Sequence, residues 1–576
     1  MTDTERSSLW PPDQGARAKI ANDLDDNILV DAGPGSGKTT ELVSRMVALI
    51  ESGKARPEDI AAVTFTKKAA RELRERFQAR IDERLAQEKK ADKPDYDSQE
   101  RLEDALATQQ PIFIGTIHGF CARILREAGV GVGLDPSFEV LPESELLSSR
   151  ERFFTAYLER LTRENDSGLE SLVHLGVRPL DLFELFGKVV EYPDVELPAD
   201  DAELPSRSDF TAIRKELGAI IDQAWELMPE LEPDRGWDPL QNAIRKLHYI
   251  REVEDWDDPH LSFQALSILC KPDGSAPGVT QNRWKEKKEA KHLHARVEYF
   301  GRESGPAREL VNLWYQHMYA LVLQFVLDAR DEFSEYRTQT GKLEFQDLLF
   351  LSARLLRSDP KMRRYFGERY RRLLVDEFQD TDPLQAEIVL LLASEPPTES
   401  EGENTGVYRN GWGGWSMGVE WRGVEPRPGA LFVVGDSKQS IYRFRRADIQ
   451  LYDFVKERFQ DFGSVIQLTA NFRSSPAIGD FVNKTFSLEG LFPPSATLEQ
   501  AGFEPLNTKP SKTEPGGVFM YEVQPPQNTP DARALDDAGR IAAWIRERID
   551  NGERKAEDFL ILTIYKGRLS KYARAL

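Results

Sequence analysis

The chain has 576 residues, 40% of them hydrophobic and 30% charged, and a formal net charge of −21. That is enough for three or four domain-sized units of soluble globular composition; the acidic balance argues against nonspecific nucleic-acid binding over the whole surface, though not against a local basic channel. Only Cys121 and Cys270 are present, which rules out a disulfide framework or a four-cysteine zinc site and fits a reducing cytoplasm. No run of eighteen apolar residues occurs and residues 1–10 are polar, so no signal peptide or membrane association is expected.

In chain order, Leu9-Trp10-Pro11-Pro12-Asp13-Gln14 precedes a short helical stretch. The Gln14 amide both donates and accepts, so it could read adenine or simply sit on the surface. The apolar run at 27–30 then enters Asp31-Ala32-Gly33-Pro34-Gly35-Ser36-Gly37-Lys38-Thr39-Thr40, followed by Leu42, Val43, Met46, Val47 and Ile50 at helical spacing. Strand, small-residue loop, Lys-Thr and helix is the setting of a P-loop, with Ala32 where the motif usually starts on glycine. Gly33, Gly35 and Gly37 are expected to turn backbone N–H groups toward phosphate oxygens at the positive end of a helix. Lys38 can reach the β/γ-phosphates and the Thr39 hydroxyl can ligate magnesium.

A second strand-like run, Ala61 to Thr66, ends beside Phe65 and a Lys/Arg-rich helix beginning at Lys67. That edge suits base stacking and phosphate contact, or is only a solvated helix. Residues 87–110 form a polar helical excursion with no assigned chemistry, and a third strand leads through Thr116 and His118 into another helix. His118 lacks the neighbours of a metal site, leaving a structural role or a nucleic-acid contact. Residues 135–339 carry no recognisable motif; their period is helical, and a long apolar stretch covers 311–325. They are expected to form a helical insertion in an α/β core.

The chain returns to that core at Leu343-Glu344-Phe345, and Leu373-Leu374-Val375 runs into Asp376-Glu377-Phe378-Gln379-Asp380-Thr381-Asp382. Adjacent carboxylates at a strand end let Asp376 hold magnesium while Glu377 orients and deprotonates water, provided the backbone turns there. Residues 395–429, with Trp412, Trp415 and Trp421, suggest a mobile surface loop, with a hairpin or lid as alternatives. A further strand, 430–435, enters Asp436-Ser437-Lys438-Gln439-Ser440-Ile441-Tyr442-Arg443-Phe444-Arg445-Arg446. Gln439 is placed to sense a γ-phosphate, and the interleaved aromatics and arginines suit a single-strand stacking platform. Asn471-Phe472-Arg473-Ser474 then offers an aromatic and an arginine suited to a finger on the transferring phosphoryl group.

These stretches, in this order from Gln14 to Ser474, resemble UvrD/Rep-type superfamily 1 DNA helicases. The wording at 375–382 and 435–442 leans toward the RecB/AddA recombination-repair branch. The resemblance implies an α/β P-loop NTPase with RecA-like parallel sheets. Domain 1A would comprise residues 1–134 and 340–458, a mainly helical 1B-like insertion 135–339, and a partial second RecA-like domain, 2A, 459–576. ATP and Mg2+ would be the cofactors. Gln14 and Phe472 would contact adenine; Ala32, Gly33, Pro34, Gly35, Ser36, Gly37, Lys38, Thr39 and Thr40 would cradle the phosphates. Thr39 and Asp376 would hold magnesium, Glu377 the hydrolytic water, and Gln439 and Arg473 the γ-phosphate. Phe65, Thr116, His118, Tyr442, Phe444 and Arg445 would line a single-stranded DNA track.

The implied activity is an ATP-dependent 3′ to 5′ DNA helicase or translocase in double-strand break repair and recombination. Single-stranded DNA, strand junctions and a companion helicase–nuclease polypeptide would be the partners. After Ser474 the sequence supplies only a strand at 517–523, a helix at 536–549 and a strand at 559–563, with Ile564 where such helicases often carry arginine. The family's later motifs, including a second arginine finger, are missing. The alternatives are therefore an ATP- and DNA-binding component or fragment without autonomous motor activity, or a P-loop ATPase unrelated to DNA.

Overall fold

The computed structural model describes residues 11–107, 112–195, 197, 204–253, 258–271, 273–395, 407–409, 415–417, 420–488, 491–493, 495–497, 500–508, 517–523 and 529–576. The expected α/β architecture is present. Six parallel strands form one sheet in the order Gly463–Leu468, Asn27–Ala32, Leu431–Gly435, Arg372–Val375, Ile60–Thr64, Phe113–Thr116. The strands are near-continuous apolar runs because both faces of such a sheet are covered by helices.

Alternation along the strands builds two cores, since successive side chains point to opposite faces. Leu29, Ala61, Val63, Leu373, Val375, Leu431 and Val433 fall in one buried cluster, with side chains from the Ile117–Ala128, Phe345–Ser358, Pro383–Ala393 and Ile449–Phe462 helices. Ile28, Val30, Ile60, Ala62, Leu374, Phe432 and Val434 fall in the other, under the Gln14–Asn22, Lys38–Glu51 and Lys67–Glu88 helices. The consequence for function is directional. Every parallel strand ends on the same edge of the sheet, so the segments after Ala32, Thr64, Thr116, Val375 and Gly435 gather there.

Between the third and fourth of these strands along the chain lies a long helical excursion with its own cores. Its spine is the 33-residue helix Arg308–Thr340, about 50 Å long at 1.5 Å per residue. The N-terminal part of that helix packs Leu310, Val311 and Trp314 into one cluster. Its C-terminal part packs Phe325, Val326, Ala329 and Phe333 into another, with Phe154 and Phe186. Where the excursion rejoins the core, the buried Arg337 guanidinium forks onto Asp347 with two 2.7 Å bonds, and Arg150 forks onto Glu344.

The segment expected to be a loop at 395–429 has more structure than that. Val407–Arg409 and Trp415–Met417 pair as an antiparallel hairpin, and Trp421 is buried in the core cluster beneath the first face. Trp412 lies outside the described residues, as do Leu9 and Trp10.

By compactness the chain divides into two units. The larger contains the described residues to Ala32, Gly37–Leu468 and Gln500; the smaller contains Gly33–Ser36, the described residues of Thr469–Thr497 and those from Ala501. In the smaller unit Ala470–Asn471 pairs in parallel with Asn507–Thr508. The expected helix at 536–549 lies within Pro530–Asp550. The expected strands at 517–523 and 559–563 do not form. Their apolar pattern is right, but a strand is completed only by a neighbour's N–H and C=O groups. Among the described residues neither segment has a ladder partner. Phe519, Met520, Leu560 and Leu562 are exposed there.

Candidate functional site

The strand-end edge of the larger unit carries most of the residues singled out from sequence. Lys38 opens the Lys38–Glu51 helix, whose N-cap is Gly37 in the left-handed region at φ +90°. The exposed Thr40 and half-buried Thr39 follow on its first turn, where the unsatisfied backbone N–H groups of a helix start point outward. Asp13 and Glu41 both accept from the Arg17 guanidinium (2.9 and 2.7 Å), tying the helix that begins with Gln14 to this first turn.

Within the smaller unit, Gly35 also takes a left-handed conformation, at φ +72°. A Cβ there would lie 2.6 Å from the Arg473 Cβ and 2.9 Å from the Asn471 side-chain oxygen, so glycine is required twice over. The Phe472 N–H donates to the Gly35 carbonyl (2.9 Å) and the Asn471 amide donates to the Pro34 carbonyl (2.7 Å). Phe472 and Arg473 are exposed. Gly33 is different from expectation: its φ is not left-handed and a Cβ would meet nothing within 4 Å. Its part in the loop is to accept from the Ser36 hydroxyl through its carbonyl (2.8 Å).

At the end of Arg372–Val375, two strands along the sheet from Asn27–Ala32, the backbone turns as two working carboxylates require. Asp376 still donates its N–H to the Val63 carbonyl (2.9 Å), continuing the sheet, whereas Glu377 has φ +54°. A left-handed glutamate is a strained conformation, of order 1–3 kcal/mol. Here it reverses the direction of the side chain, and Glu377 Oε2 accepts from Lys38 Nζ at 3.2 Å. Burial, and then the Glu377 charge beside it, push the Asp376 carboxyl up to about 6. Asp380 is pushed to about 6 by the same two causes. Both acids therefore stay mainly ionised at neutral pH and take up protons only under mildly acidic conditions.

The third strand end supplies Asp436, fully buried. Its carboxylate accepts from Gln439 Nε2 (2.7 Å) and faces Lys438 Nζ (3.0 Å). The same loop continues into an aromatic–cationic face. Phe65 stacks on Tyr442 with ring centroids 5.1 Å apart and planes 30° from parallel; Phe444 lies 5.8 Å from Tyr442. The Arg445 guanidinium lies 5.6 and 5.8 Å from the Tyr442 and Phe444 centroids. Phe444 is 73% exposed, a large aromatic held open to solvent.

Thr116 and His118 belong to a different local arrangement. The Thr116 hydroxyl caps the Ile117–Ala128 helix by accepting from the Gly119 N–H (3.2 Å). His118 packs edge-on against Phe345, 5.7 Å between centroids, and burial lowers its pKa to about 4. It is a neutral ring at pH 7.

Two residues were not assigned a role from sequence. Asp436 was legible in principle, as an acid directly after an apolar strand. Gln379 was not: a glutamine between Phe378 and Asp380 has no spacing that marks it, and only the fold shows it 2% exposed beside Glu377.

A family model for the UvrD/REP helicase N-terminal domain matches residues 13–460. Among curated proteins, the chain is 27% identical to an ATP-dependent helicase/nuclease subunit of Pediococcus pentosaceus over 82% of its own length and 38% of the relative's. It is 26% identical to the helicase/nuclease subunit of the same name from Streptococcus sanguinis (94% and 45%) and 27% identical to that from Bacillus licheniformis (96% and 46%). The chain therefore spans less than half the length of these relatives.

Proposed function

Because the chain belongs to the UvrD/REP helicase family, we propose that it is the nucleotide-driven part of an ATP-dependent DNA helicase acting in repair and recombination. The observation that carries this reading is the sheet edge itself. Lys38 and Glu377 meet at 3.2 Å, and the adjoining strand end leads within a few residues from Gln439 to the Phe65–Tyr442–Phe444–Arg445 face.

In this reading the phosphates of ATP bind along residues 32–40 and draw Lys38 away from Glu377. The freed carboxylate orients the attacking water and takes its proton, the task of a general base. Gln439 and Arg473 act on the γ-phosphate, and Gln14 and Phe472 on the adenine. Thr39 and Asp376 fit magnesium, which is commonly bound through one or two protein oxygens plus phosphates. When bound, it would neutralise phosphate charge and keep the Asp376 carboxylate ionised to lower pH. Single-stranded DNA runs over Phe65, Tyr442, Phe444 and Arg445, with Thr116 and His118 at its edge, and translocation proceeds 3′ to 5′. The relatives are each named as one subunit of an ATP-dependent helicase/nuclease, so a companion polypeptide of such a complex is the proposed protein partner.

A second reading is favoured by the exposed apolar segments of the smaller unit: nucleotide and DNA bind, but the motor is not assembled. ATP turnover with and without oligo(dT), with Glu377→Gln as control, separates the two. DNA-stimulated turnover that disappears in the variant supports a working ATPase; binding of both ligands without turnover supports the second reading. Failure to bind ATP or DNA overturns both.

A further inference from the structure

The two functions proposed for the sheet edge are joined by one side chain. Gln379 is buried, and its amide is used at both ends: Nε2 donates to Glu377 Oε2 at 2.8 Å, and Oε1 accepts from the Asp436 N–H at 2.9 Å. Its main-chain carbonyl accepts from the Ser440 hydroxyl at 3.1 Å. The amide orientation is fixed by these neighbours. A flipped group would set its oxygen against a carboxylate and its NH2 against an N–H.

On one side, therefore, Gln379 grips the same Glu377 oxygen that Lys38 contacts. On the other it holds the first and fifth residues of the 436–446 segment, which contains Gln439 and leads to Tyr442, Phe444 and Arg445. The packing leaves no slack. A Cβ on Gly435 would come within 3.0 Å of Gln379 Oε1 and 2.7 Å of the Tyr452 ring. A shift of Glu377 is thus transmitted to the loop by a rigid group that can both donate and accept. An amide supplies a donor and an acceptor on one planar group, which an aliphatic side chain of this length cannot.

Building on the ATP and DNA sites proposed above, we infer that Gln379 is a positioning residue that couples them: it makes the placement of the aromatic loop depend on whether Lys38 or a nucleotide occupies the neighbourhood of Glu377. Coupling of this kind is reciprocal, so nucleotide alters DNA affinity by the same factor as DNA alters nucleotide affinity.

The test is a double titration of the 576-residue chain with fluorescent oligo(dT) and magnesium–ATPγS, each with and without the other. In the wild type a coupling factor on the order of 5-fold or more is expected. Gln379→Ala, which removes both bonds, and Gln379→Glu, which keeps the shape but opposes two carboxylates, should bring the factor close to one. Either ligand alone should bind within about threefold of wild type, because the residue touches neither. Ser440→Ala, which removes one bond from the loop side, should lower the factor partway. It gives the answer if the Gln379 variants do not fold. Undiminished coupling in a folded Gln379 variant, or in Ser440→Ala when the Gln379 variants do not fold, overturns the inference. So does a wild type that binds both ligands without coupling. A wild type that fails to bind one of them refutes instead the function proposed above.

Discussion

The two units use the same kind of sequence and come to different ends. In the larger, Phe432 and Val434 on one face and Leu431 and Val433 on the other are buried because strands lie on both sides of them. In the smaller, Leu560, Leu562 and Ile564 have a comparable apolar alternation and are 82–93% exposed. Propensity and pattern are alike; what differs is the presence of a neighbouring strand to complete the hydrogen bonding and cover the side chains. An apolar strand pattern is a statement of what a segment can bury, not of what it does bury.

Chemistry distinguishes the two units most strongly. If the smaller unit contributes to turnover, Arg473→Ala should lower DNA-stimulated ATP hydrolysis on the order of a thousandfold, as loss of an arginine finger does. An unchanged rate would confine the chemistry to the larger unit. Glu377→Gln should lower turnover by about 10²–10⁴-fold while nucleotide affinity is kept, the signature of a lost general base. A parallel loss of affinity would make Glu377 a binding group instead.

Stability provides the next contrast. Phe432→Ala removes a ring buried in the sheet core and covered by the Arg45 guanidinium, 4.9 Å above its centroid. Its cost in urea unfolding should be about 3–5 kcal/mol. Ile564→Ala should fall within about 0.5 kcal/mol of wild type, as expected for an exposed side chain. Equal costs would mean that Ile564 is buried in solution and that the two units are not so different.

A pH-dependent contrast is provided by His118. Its pKa of about 4 lies below the ordinary value of 6.5, so the unfolded chain binds a proton that the folded chain refuses. Its contribution to stability is present above pH 6.5 and is lost as the pH falls from there toward 4. The thermal midpoint should therefore drop between about pH 7 and 5, and drop less in His118→Gln. As a neutral ring it contributes no counterion release, so His118→Gln should leave the salt dependence of oligo(dT) binding unchanged.

Much of this molecule is determined by local sequence. The strand–loop–helix around Lys38, the carboxylates after Val375 and the aromatic–arginine run at 442–445 are each contiguous, and their chemistry follows from residue type and spacing. The helical character of the insertion follows from its period. Even the need for a turn at Glu377 is implied by two adjacent acids at the end of a strand, and the structure meets it with a left-handed residue.

Tertiary structure decided what no local window contains. It made Gly35, rather than Gly33, the position where a side chain is excluded, because the Arg473 and Asn471 side chains approach it from more than four hundred residues away. It put Trp421 in the core, and among the described residues it left the 517–523 and 559–563 segments without strand partners. It also set Gln379 between Glu377 and Asp436, residues 59 positions apart in sequence that meet because their parallel strands are neighbours and end on one edge. Spacing along the chain fixes which groups can do chemistry; only the register of the sheet fixes which of them touch.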